Sequence, residues 1–250
     1  MNLNIGPLKE RKHKIVVHKK INRLNPFFLV LFFVLPVVLY VPFLVKWVPS
    51  GPIVTSDVFS AVAKVSTPVK SFERTGSAFL VTDKYLITAA HVVSGIPVGN
   101  TVKIDFERAK GMSPMAAKVA FSPKNNPNIN DYAVLELLQR VTDITPLKIG
   151  KSSDCQIGDR ILVIGYPGGG PFSATYGSIS NESVSPNRMQ IDAGAWPGNS
   201  GGPIILDGTK EVVGVLTNYG QYDIVQGVKI DALLNDAEFK ASGIKFLNHD

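Results

Sequence analysis

The sequence predicts an all-β fold, either a sandwich or a barrel, preceded by one long apolar segment. The main observation is a series of short runs with β-forming residues, separated by glycine, proline, asparagine, aspartate and serine. Many short strands between turn residues are typical of antiparallel all-β domains. The predicted strands include Ser77–Val81, Tyr85–Thr88, Val102–Phe106, Ala133–Leu137, Arg160–Ile164, Gly177–Ser180, Met189–Ile191, Pro203–Leu206 and Glu211–Thr217.

The apolar segment Phe27–Val45 is an unbroken run of 19 uncharged, mostly apolar residues. At ~1.5 Å rise per residue a helix of this length spans roughly 28 Å, close to the thickness of a bilayer core. Lys46 and Trp47 follow it, where a snorkelling amine and an interfacial indole fit. We therefore predict a transmembrane signal anchor over residues 26–47. A cleaved signal peptide is the alternative, but its nearest small-residue site, Ala61-Val62-Ala63, lies too far beyond the run.

The positive charge of the chain is concentrated before this segment. The net charge is +6, and residues 1–25 carry all of it, because seven Lys/Arg face only Glu10 there. The rest of the chain is neutral overall, so the charge gives no indication of a nucleic-acid-binding domain. Under the positive-inside rule this basic tail stays cytoplasmic and the remainder lies on the other side of the membrane. The basic residues are Lys9, Arg11, Lys12, Lys14, Lys19, Lys20 and Arg23.

Beyond the apolar segment, residues 48–58 indicate a short linker and residues 59–250 a single domain. The remaining length suffices for one substantial core or two packed barrels. Ser56-Asp57 is typical of a helix N-terminus, and we expect a brief helix from there through Val65. Residues 230–239 have apolar side chains at helical spacing and predict one closing helix.

The most informative stretch is Pro197-Gly198-Asn199-Ser200-Gly201-Gly202-Pro203. Small residues on both sides of Ser200 let the backbone turn sharply and approach a bound carbonyl closely. Such a turn suits a nucleophilic serine whose neighbouring amide N–H groups point at a developing oxyanion. The same composition is also typical of an ordinary turn, so the stretch needs support from other residues.

A serine hydroxyl needs an adjacent base to act as a nucleophile at neutral pH. The chain has four histidines, of which His13 and His18 lie in the basic tail and His249 is the penultimate residue. Only His91 lies in a patterned segment, after two predicted strands joined by a turn at Thr82-Asp83-Lys84. We therefore predict His91 as the base, with a hydrogen-bonded core histidine as the alternative.

The base in turn needs a carboxylate that holds its tautomer and stabilises the imidazolium. Asp131 begins an alternating run that continues through Leu137. Asp105, Asp143 and Asp192 are competitors, and periodicity alone does not choose among the four acids.

Three motifs, in the order His, Asp, Ser, resemble those of the trypsin-like (chymotrypsin-fold) serine proteases. They are Thr88-Ala89-Ala90-His91, Asp131-Tyr132-Ala133-Val134-Leu135 and Gly198-Asn199-Ser200-Gly201-Gly202-Pro203. The stretches Met189–Ser200 and Gly158–Pro167 are similar to the HtrA-type branch of that family in particular.

The resemblance runs from about residue 57 to about residue 233. It implies two antiparallel six-stranded barrels with the active site between them. It also implies that Ser200 is the nucleophile, His91 the general acid/base and Asp131 the orienting acid. The backbone N–H groups of Gly198 and Ser200 would form the oxyanion hole.

The same resemblance places Gly194 at the base of the primary specificity pocket, with Thr217, Asn218 and Tyr219 on its flank. None of these residues supplies a carboxylate, so we expect cleavage after small or medium apolar residues instead of a strong preference for Lys or Arg. Animal relatives order the site by pairing a new N-terminal amine with an aspartate just before the serine. Asn199 occupies that position here, so this activation route is not expected.

Further expectations follow from the HtrA-type branch. A loop comparable to Tyr166–Pro171 helps to order the active site there, and a region comparable to that around Phe59 supports trimers, so we expect polypeptide substrates and a homotrimer. HtrA proteins usually carry PDZ domains after the protease, but this chain ends at Asp250, so control through a PDZ groove is not expected. The single cysteine, Cys155, excludes an internal disulfide and fits a bacterial form in the periplasm or at the cell surface.

Two other functions remain open. A catalytically silent binding or scaffold protein could use the same fold, although all three triad residues are present. An esterase of another fold would match Gly198-x-Ser200-x-Gly202, but it would need a histidine late in the chain, and only His249 follows. We expect a membrane-anchored serine endopeptidase that cleaves extracytoplasmic proteins through an acyl-enzyme, with no cofactor and no metal ion.

Overall fold

The computed structural model describes residues 56–69, 72–124, 129–219 and 224–246. The predicted basic tail, the predicted transmembrane anchor and most of the linker lie outside these ranges. Among the residues that are described, no helix is long and apolar enough to cross a membrane.

The described residues form strands joined by short turns, with brief helices at the two ends. Helix α1 (Ser56–Ser60) comes first, and α2 (Ile230–Asn235) and α3 (Ala237–Ala241) come last. The first six strands are β1 (Val62–Val69), β2 (Phe72–Leu80), β3 (Tyr85–Thr88), β4 (Thr101–Asp105), β5 (Met115–Phe121) and β6 (Ala133–Leu137). The next six are β7 (Arg160–Gly165), β8 (Ser173–Ser185), β9 (Arg188–Ala193), β10 (Pro203–Leu206), β11 (Glu211–Tyr219) and β12 (Val225–Lys229).

These strands close into two six-stranded antiparallel barrels, which confirms the fold class that the resemblance implied. The strand order is β1-β2-β3-β6-β5-β4 in the first barrel and β10-β11-β12-β9-β8-β7 in the second. Closure leaves no unpaired strand edge in either barrel, so the backbone hydrogen bonds of each sheet are satisfied internally.

Strand β7 shows how the two barrels are joined. Ile161 and Val163 belong to the core of the second barrel, whereas Leu162 and Ile164 belong to a larger cluster that extends into the first barrel. A strand covered on both faces is apolar along its whole length instead of alternating. The surface between the barrels is therefore part of the core, and the loops on either side of it are held by packed side chains.

The expected helix from Ser56 through Val65 is wrong beyond its first turn. Helix α1 ends at Ser60 and β1 begins at Val62. Along β1, Ala63 and Val65 are buried, and the strand pairs with both β2 and β4. Barrel closure therefore overrides the local helix signal, because this segment supplies the strand that joins β2 to β4.

The expected single closing helix over residues 230–239 is interrupted at Asp236. The break separates α2 from α3, and the Asp236 Oδ1 accepts a hydrogen bond from the Phe239 N–H at 2.9 Å, which caps α3. The other oxygen, Oδ2, accepts a hydrogen bond from the Tyr132 hydroxyl at 2.5 Å. Tyr132, the residue immediately before β6, is fully buried. The hydrogen bond between Tyr132 and Asp236 therefore connects the C-terminal helices α2 and α3 to the first barrel.

Substituting Tyr132→Phe is expected to lower the free energy of unfolding by about 1–3 kcal/mol, because it leaves Oδ2 of the partly buried Asp236 carboxylate without its donor. Burial and the Asp236 carboxylate raise the pKa of Tyr132, so the native state keeps this phenol protonated while the unfolded chain ionises. The wild-type stability should therefore decline above about pH 10, and the decline should be smaller in the variant. Urea denaturation at pH 7.5 and pH 10.5 measures both effects.

Tyr176→Phe is the matched control for this prediction. Within the described residues the Tyr176 hydroxyl is buried and has no hydrogen-bond partner. Removing it should leave the stability unchanged or raise it slightly. Equal losses of stability in the two variants would contradict the role assigned to the Tyr132–Asp236 contact.

Candidate active site

Three loops meet where the two barrels face each other, and each carries one of the predicted catalytic residues. His91 lies in a 3₁₀ turn over Ala90–Val93, directly after β3. Asp131 lies just before β6, the strand paired with β3. Ser200 lies in the turn that leads into β10 of the second barrel.

Asp131 binds His91 through both of its carboxylate oxygens. Oδ2 lies 2.7 Å from the ring Nδ1, and Oδ1 accepts a hydrogen bond from the backbone N–H of His91 at 2.9 Å. Asp131 is buried, whereas the His91 side chain is 44% exposed. The carboxylate therefore fixes both the position and the tautomer of the imidazole, with the proton on Nδ1 and the lone pair on Nε2.

A side chain from strand β2 also holds the turn that carries His91. Arg74 on β2 donates hydrogen bonds through Nη1 to the carbonyl oxygens of His91 at 3.0 Å and Ser94 at 2.9 Å. These two bonds satisfy carbonyls at the end of the turn, so the backbone of His91 is anchored on both sides.

The competing acids lie elsewhere. Asp105 ends β4 and faces Lys64 across the pair of strands, Asp143 is exposed in a loop after β6, and Asp192 is exposed on β9. Of the four aspartates that the sequence left open, the structure places Asp131 against His91.

Ser200 is held against the first barrel by close backbone packing. Its carbonyl accepts a hydrogen bond from the Ser77 N–H at 2.8 Å. A Cβ added at Gly76 would lie 3.2 Å from that carbonyl and 2.6 Å from the methyl groups of Val92, the residue after His91. The Ser200 turn therefore packs beside the turn that carries His91.

Gly201, the next residue, has a φ of +86°, a conformation that side chains other than glycine rarely adopt. A Cβ there would overlap the Ser77 carbonyl and the Thr88 hydroxyl, and would lie 2.9 Å from the Ala89 nitrogen. The glycine thus lets the Ser200 turn approach the end of β3 at Thr88, three residues before His91.

Ser77 joins the two barrels through its side chain as well. Its hydroxyl donates to the Gly198 carbonyl at 2.8 Å and accepts from the Tyr166 N–H at 3.1 Å. Ser77 is fully buried on β2. Sequence reasoning did not single out this residue, because nothing in the local pattern indicates that it contacts residues about 90 and 120 positions away.

The peptide between Pro197 and Gly198 is oriented by a contact with the loop at Gly168. The Gly168 N–H donates to the Pro197 carbonyl at 2.5 Å, so the Gly198 N–H, on the other side of this trans peptide, points away from that loop. Gly198 has a φ of +100°, and a Cβ there would lie 2.8 Å from the Gly168 nitrogen. In the described part of the chain, the N–H groups of Gly198 and Ser200 donate to no backbone carbonyl.

An open cavity lies next to this turn, and one of its lining residues is Gly194, which the resemblance assigns to the specificity pocket. Thr217 does not line it. Its hydroxyl, on β11, is buried and accepts a hydrogen bond from Arg188. The side chains of Asn218 and Tyr219 lie outside the described part of the structure. The cavity is lined by Pro167, Gly168, Ser173, Thr175, Gly194, Trp196 and Asn199.

Two other residues considered in the sequence lie in packed surroundings. Cys155 is buried in the core of the second barrel, and burial together with the nearby aspartates raises its pKa to about 11. Its thiol therefore stays protonated at neutral pH and is a poor nucleophile. The partly buried ring of Phe59 packs edge-on against Phe172 of the same chain, with the centroids 5.4 Å apart. His249 lies outside the described residues.

Two closed six-stranded antiparallel barrels, with a histidine–aspartate pair from one and a serine turn from the other, define the chymotrypsin-fold class. Residues 76–215, more than half of the chain, match the trypsin-like peptidase domain family. The chain belongs to this family.

The chain is similar to a probable periplasmic serine endoprotease, DegP-like, of Hahella chejuensis, with 35% identity over 151 residues. The match covers 57% of this chain and 29% of that relative, so the chain spans less than a third of its length. An HtrA-type protease, AlgW with a tripeptide, is 25% identical with a TM-score of 0.58, over 70% of this chain and 58% of that one.

A third comparison concerns the fold alone. The active form of the Rv3671c protease from M. tuberculosis is 23% identical with a TM-score of 0.59, over 73% of this chain and 82% of that one. The family is therefore supported by both the sequence match and the barrel architecture.

Proposed function

We propose that this chain is a membrane-anchored serine endopeptidase that hydrolyses peptide bonds of extracytoplasmic proteins. The observation that carries the proposal is the two-point contact of Asp131 with His91, 2.7 Å at the ring and 2.9 Å at the backbone, beside the packed Ser200 turn. A carboxylate on Nδ1 orients the imidazole and stabilises the imidazolium, which is what a general base next to a serine requires.

In the first half of the reaction, His91 Nε2 takes the proton of the Ser200 hydroxyl as Oγ attacks the scissile carbonyl carbon. The oxyanion that forms accepts hydrogen bonds from the N–H groups of Gly198 and Ser200. The tetrahedral intermediate then breaks its C–N bond, and the imidazolium returns the proton to the leaving amine. An acyl-enzyme ester on Ser200 remains.

In the second half, a water molecule enters the place of the amine. His91 takes one of its protons while the oxygen attacks the ester carbonyl, and the same two N–H groups bind the second oxyanion. Collapse of this intermediate breaks the bond to Ser200 Oγ, which recovers its proton from His91. Throughout the cycle the Asp131 carboxylate stabilises the imidazolium without taking a proton itself.

The location of the enzyme is part of the proposal. The apolar run Phe27–Val45 after a basic tail supports a signal anchor with the protease domain outside the cytoplasm. The DegP-like relatives are named as periplasmic, which agrees with that side of the membrane. Assembly as a homotrimer near Phe59 remains a part of the proposal that rests on the HtrA-type likeness.

The cavity beside the Ser200 turn supports a preference for small or medium apolar side chains. Its described lining residues include Gly194, Thr175 and Trp196 and no carboxylate. A Cβ at Gly194 would touch only the Thr175 methyl group, at 3.6 Å. A lysine or arginine side chain would enter this cavity without an acidic partner, at the cost of desolvating its charge.

The full chain, purified in a mild detergent, tests this function when it is incubated with a fluorophosphonate and then with casein. Mass spectrometry should locate one phosphonyl group on the peptide that contains Ser200, and cleavage of casein should fall in proportion to that labelling. Cleavage sites mapped in the unlabelled reaction should follow small or medium apolar residues. The same chain unfolded in guanidinium should not react.

Labelling of a different residue, or undiminished cleavage by a fully labelled chain, would show that Ser200 is not the nucleophile. An intact chain that neither reacts nor cleaves would favour a binding protein on a protease fold.

A further inference from the structure

Trp196 is the most exposed large hydrophobic side chain in the described part of the chain, at 69%. It lies four residues before Ser200 and lines the open cavity beside the Ser200 turn. A single exposed apolar side chain is ordinary on a protein surface. An indole on the wall of a cavity next to the proposed nucleophile is a different case, because a molecule bound in that cavity would cover its apolar face.

The residues between β9 and Ser200 alternate in the direction of their side chains. Ala193 and Ala195 are 8% and 6% exposed and belong to the core of the second barrel. Gly194 and Trp196 are exposed, and both line the cavity. This alternation is typical of extended backbone. Packing of the two alanines in the core therefore directs Trp196 to the side on which Gly194 lies.

The backbone of Trp196 is held in place by hydrogen bonds. Its carbonyl accepts from the Asn199 N–H at 2.9 Å, and the next carbonyl, that of Pro197, accepts from the Gly168 N–H at 2.5 Å. The backbone that carries the indole is thus fixed within the Ser200 turn, so little of the energy of a contact with substrate is spent on ordering it.

The space beside the indole suits an uncharged side chain. Gly194 contributes no side chain, and a Cβ added there would meet only the Thr175 methyl group, at 3.6 Å. The described lining residues of the cavity carry no charge. A substrate side chain that enters the cavity therefore finds the Trp196 ring as its largest apolar neighbour among these residues.

We propose that Trp196 is a specificity-determining residue for the peptide cleavage proposed above, on which this inference rests. Its indole is the apolar wall against which the substrate side chain in the cavity packs. Leucine and methionine have more side-chain atoms than alanine, so they bury apolar surface against the ring that alanine cannot bury. The substrate class thereby narrows from small or medium apolar residues before the scissile bond to medium-sized ones.

Tryptophan fluorescence measures this contact directly. The chain has only one other tryptophan, Trp47, so Trp47→Phe leaves the emission to Trp196. The full chain with Trp47→Phe and Ser200→Ala, in a detergent without aromatic rings, binds a peptide without cleaving it. A peptide based on a mapped casein site, with leucine before the scissile bond, should shift the emission to shorter wavelength and reduce its quenching by acrylamide. At saturation, the same peptide with glycine at that position should produce a much smaller change.

Cleavage of peptides with leucine, alanine or lysine before the scissile bond tests the same contact by kinetics. In Trp196→Ala the ratio of kcat/KM for the leucine peptide to that for the alanine peptide should fall by about 5- to 20-fold. Trp196→Phe retains an aromatic face and should keep most of this ratio. A variant that is merely misfolded would lower both rates equally and leave the ratio unchanged.

Ile157→Ala is the matched control, and it should leave the ratio unchanged. Ile157 is 65% exposed and lies just before β7. At the start of that strand the Arg160 carbonyl accepts from the N–H of Asp207, which follows β10. Ile157 is therefore near the end of β10 that is opposite to Ser200.

An unchanged leucine-to-alanine ratio in Trp196→Ala would overturn the inference. A wild-type preference for lysine over leucine would also overturn it, because the ring would then serve a cation. If Trp196→Ala does not fold, the fluorescence of the native Trp196 decides, and an emission that the leucine peptide leaves unchanged has the same meaning. A wild-type chain that does not react with a fluorophosphonate at Ser200 would instead refute the proposed function, before any peptide is compared.

Discussion

Replacing Ser200 with alanine is expected to abolish both casein cleavage and reaction with a fluorophosphonate. The loss in kcat/KM should be on the order of 10⁶-fold, which places the variant at the detection limit of most assays. Without Oγ no acyl-enzyme forms, and His91 has no hydroxyl proton to accept. The backbone N–H groups at positions 198 and 200, which we propose as the oxyanion hole, remain, and they would support only a slow residual reaction with water as the attacking group.

The Ser200→Ala variant should fold normally, because the contact that anchors this turn is the Ser200 carbonyl bond to the Ser77 N–H at 2.8 Å, which an alanine preserves. A thermal melt within about 2 °C of the wild type would establish this. Ser94→Ala is the matched control, since Ser94 is exposed three residues after His91. Cleavage by Ser200→Ala at more than about one hundredth of the wild-type rate would exclude the proposed mechanism.

Substituting Asp131→Asn should lower kcat/KM by about 10³- to 10⁴-fold while leaving the fold intact. The carboxylate accepts from both the ring Nδ1 and the backbone N–H of His91. An asparagine can keep one acceptor on the backbone N–H only by presenting its amide donor to the ring. The imidazole then carries its proton on Nε2, where it cannot remove the proton of Ser200.

Steady-state cleavage of a peptide chosen from the mapped casein sites measures this loss. The competing acids provide the controls: Asp143→Asn and Asp192→Asn remove exposed carboxylates away from His91 and should change kcat/KM by less than about twofold. A loss below tenfold in Asp131→Asn, together with a large loss in either control, would assign the orienting role to another acid.

Asp131→Asn and Ser200→Ala also differ in whether the Ser200 hydroxyl is present. Asp131→Asn keeps the nucleophile, so slow labelling by a fluorophosphonate should persist, whereas Ser200→Ala has no group to label. This difference separates the orienting role of Asp131 from the covalent role of Ser200 in one gel-based assay.

Several strands were missed in the sequence for identifiable reasons. The strand β5 (Met115–Phe121) contains three alanines, which favour no strand by themselves, and it is held in place by pairing with β4 and β6. The first half of β1, residues 62–65, falls within the predicted helix because Ser56-Asp57 signals a helix start. Its strand conformation depends on pairing with β2 and β4, which lie later in the chain.

The residues of the candidate site are easier to predict from the sequence than these strands. The turn at Ser200 needs glycine where φ reaches +100° at Gly198 and +86° at Gly201, and this requirement is visible in the residue types. His91 stood out because it follows a strand, unlike the other histidines. Asp131 was selected by family likeness and not by periodicity, because a carboxylate at a strand start has several competitors.

Residue types and their spacing specify the local chemistry of this protein: a serine in a tight glycine turn, a histidine after a strand, an apolar run after a basic tail. Which of these groups act together depends on the folded arrangement of the two barrels. The choice of Asp131 and the buried bridge of Ser77 to Gly198 each depend on contacts between distant segments of the chain. Such contacts arise when two barrels bury a shared face, and burial makes a charge or a hydrogen bond there matter far more than its position in the sequence suggests.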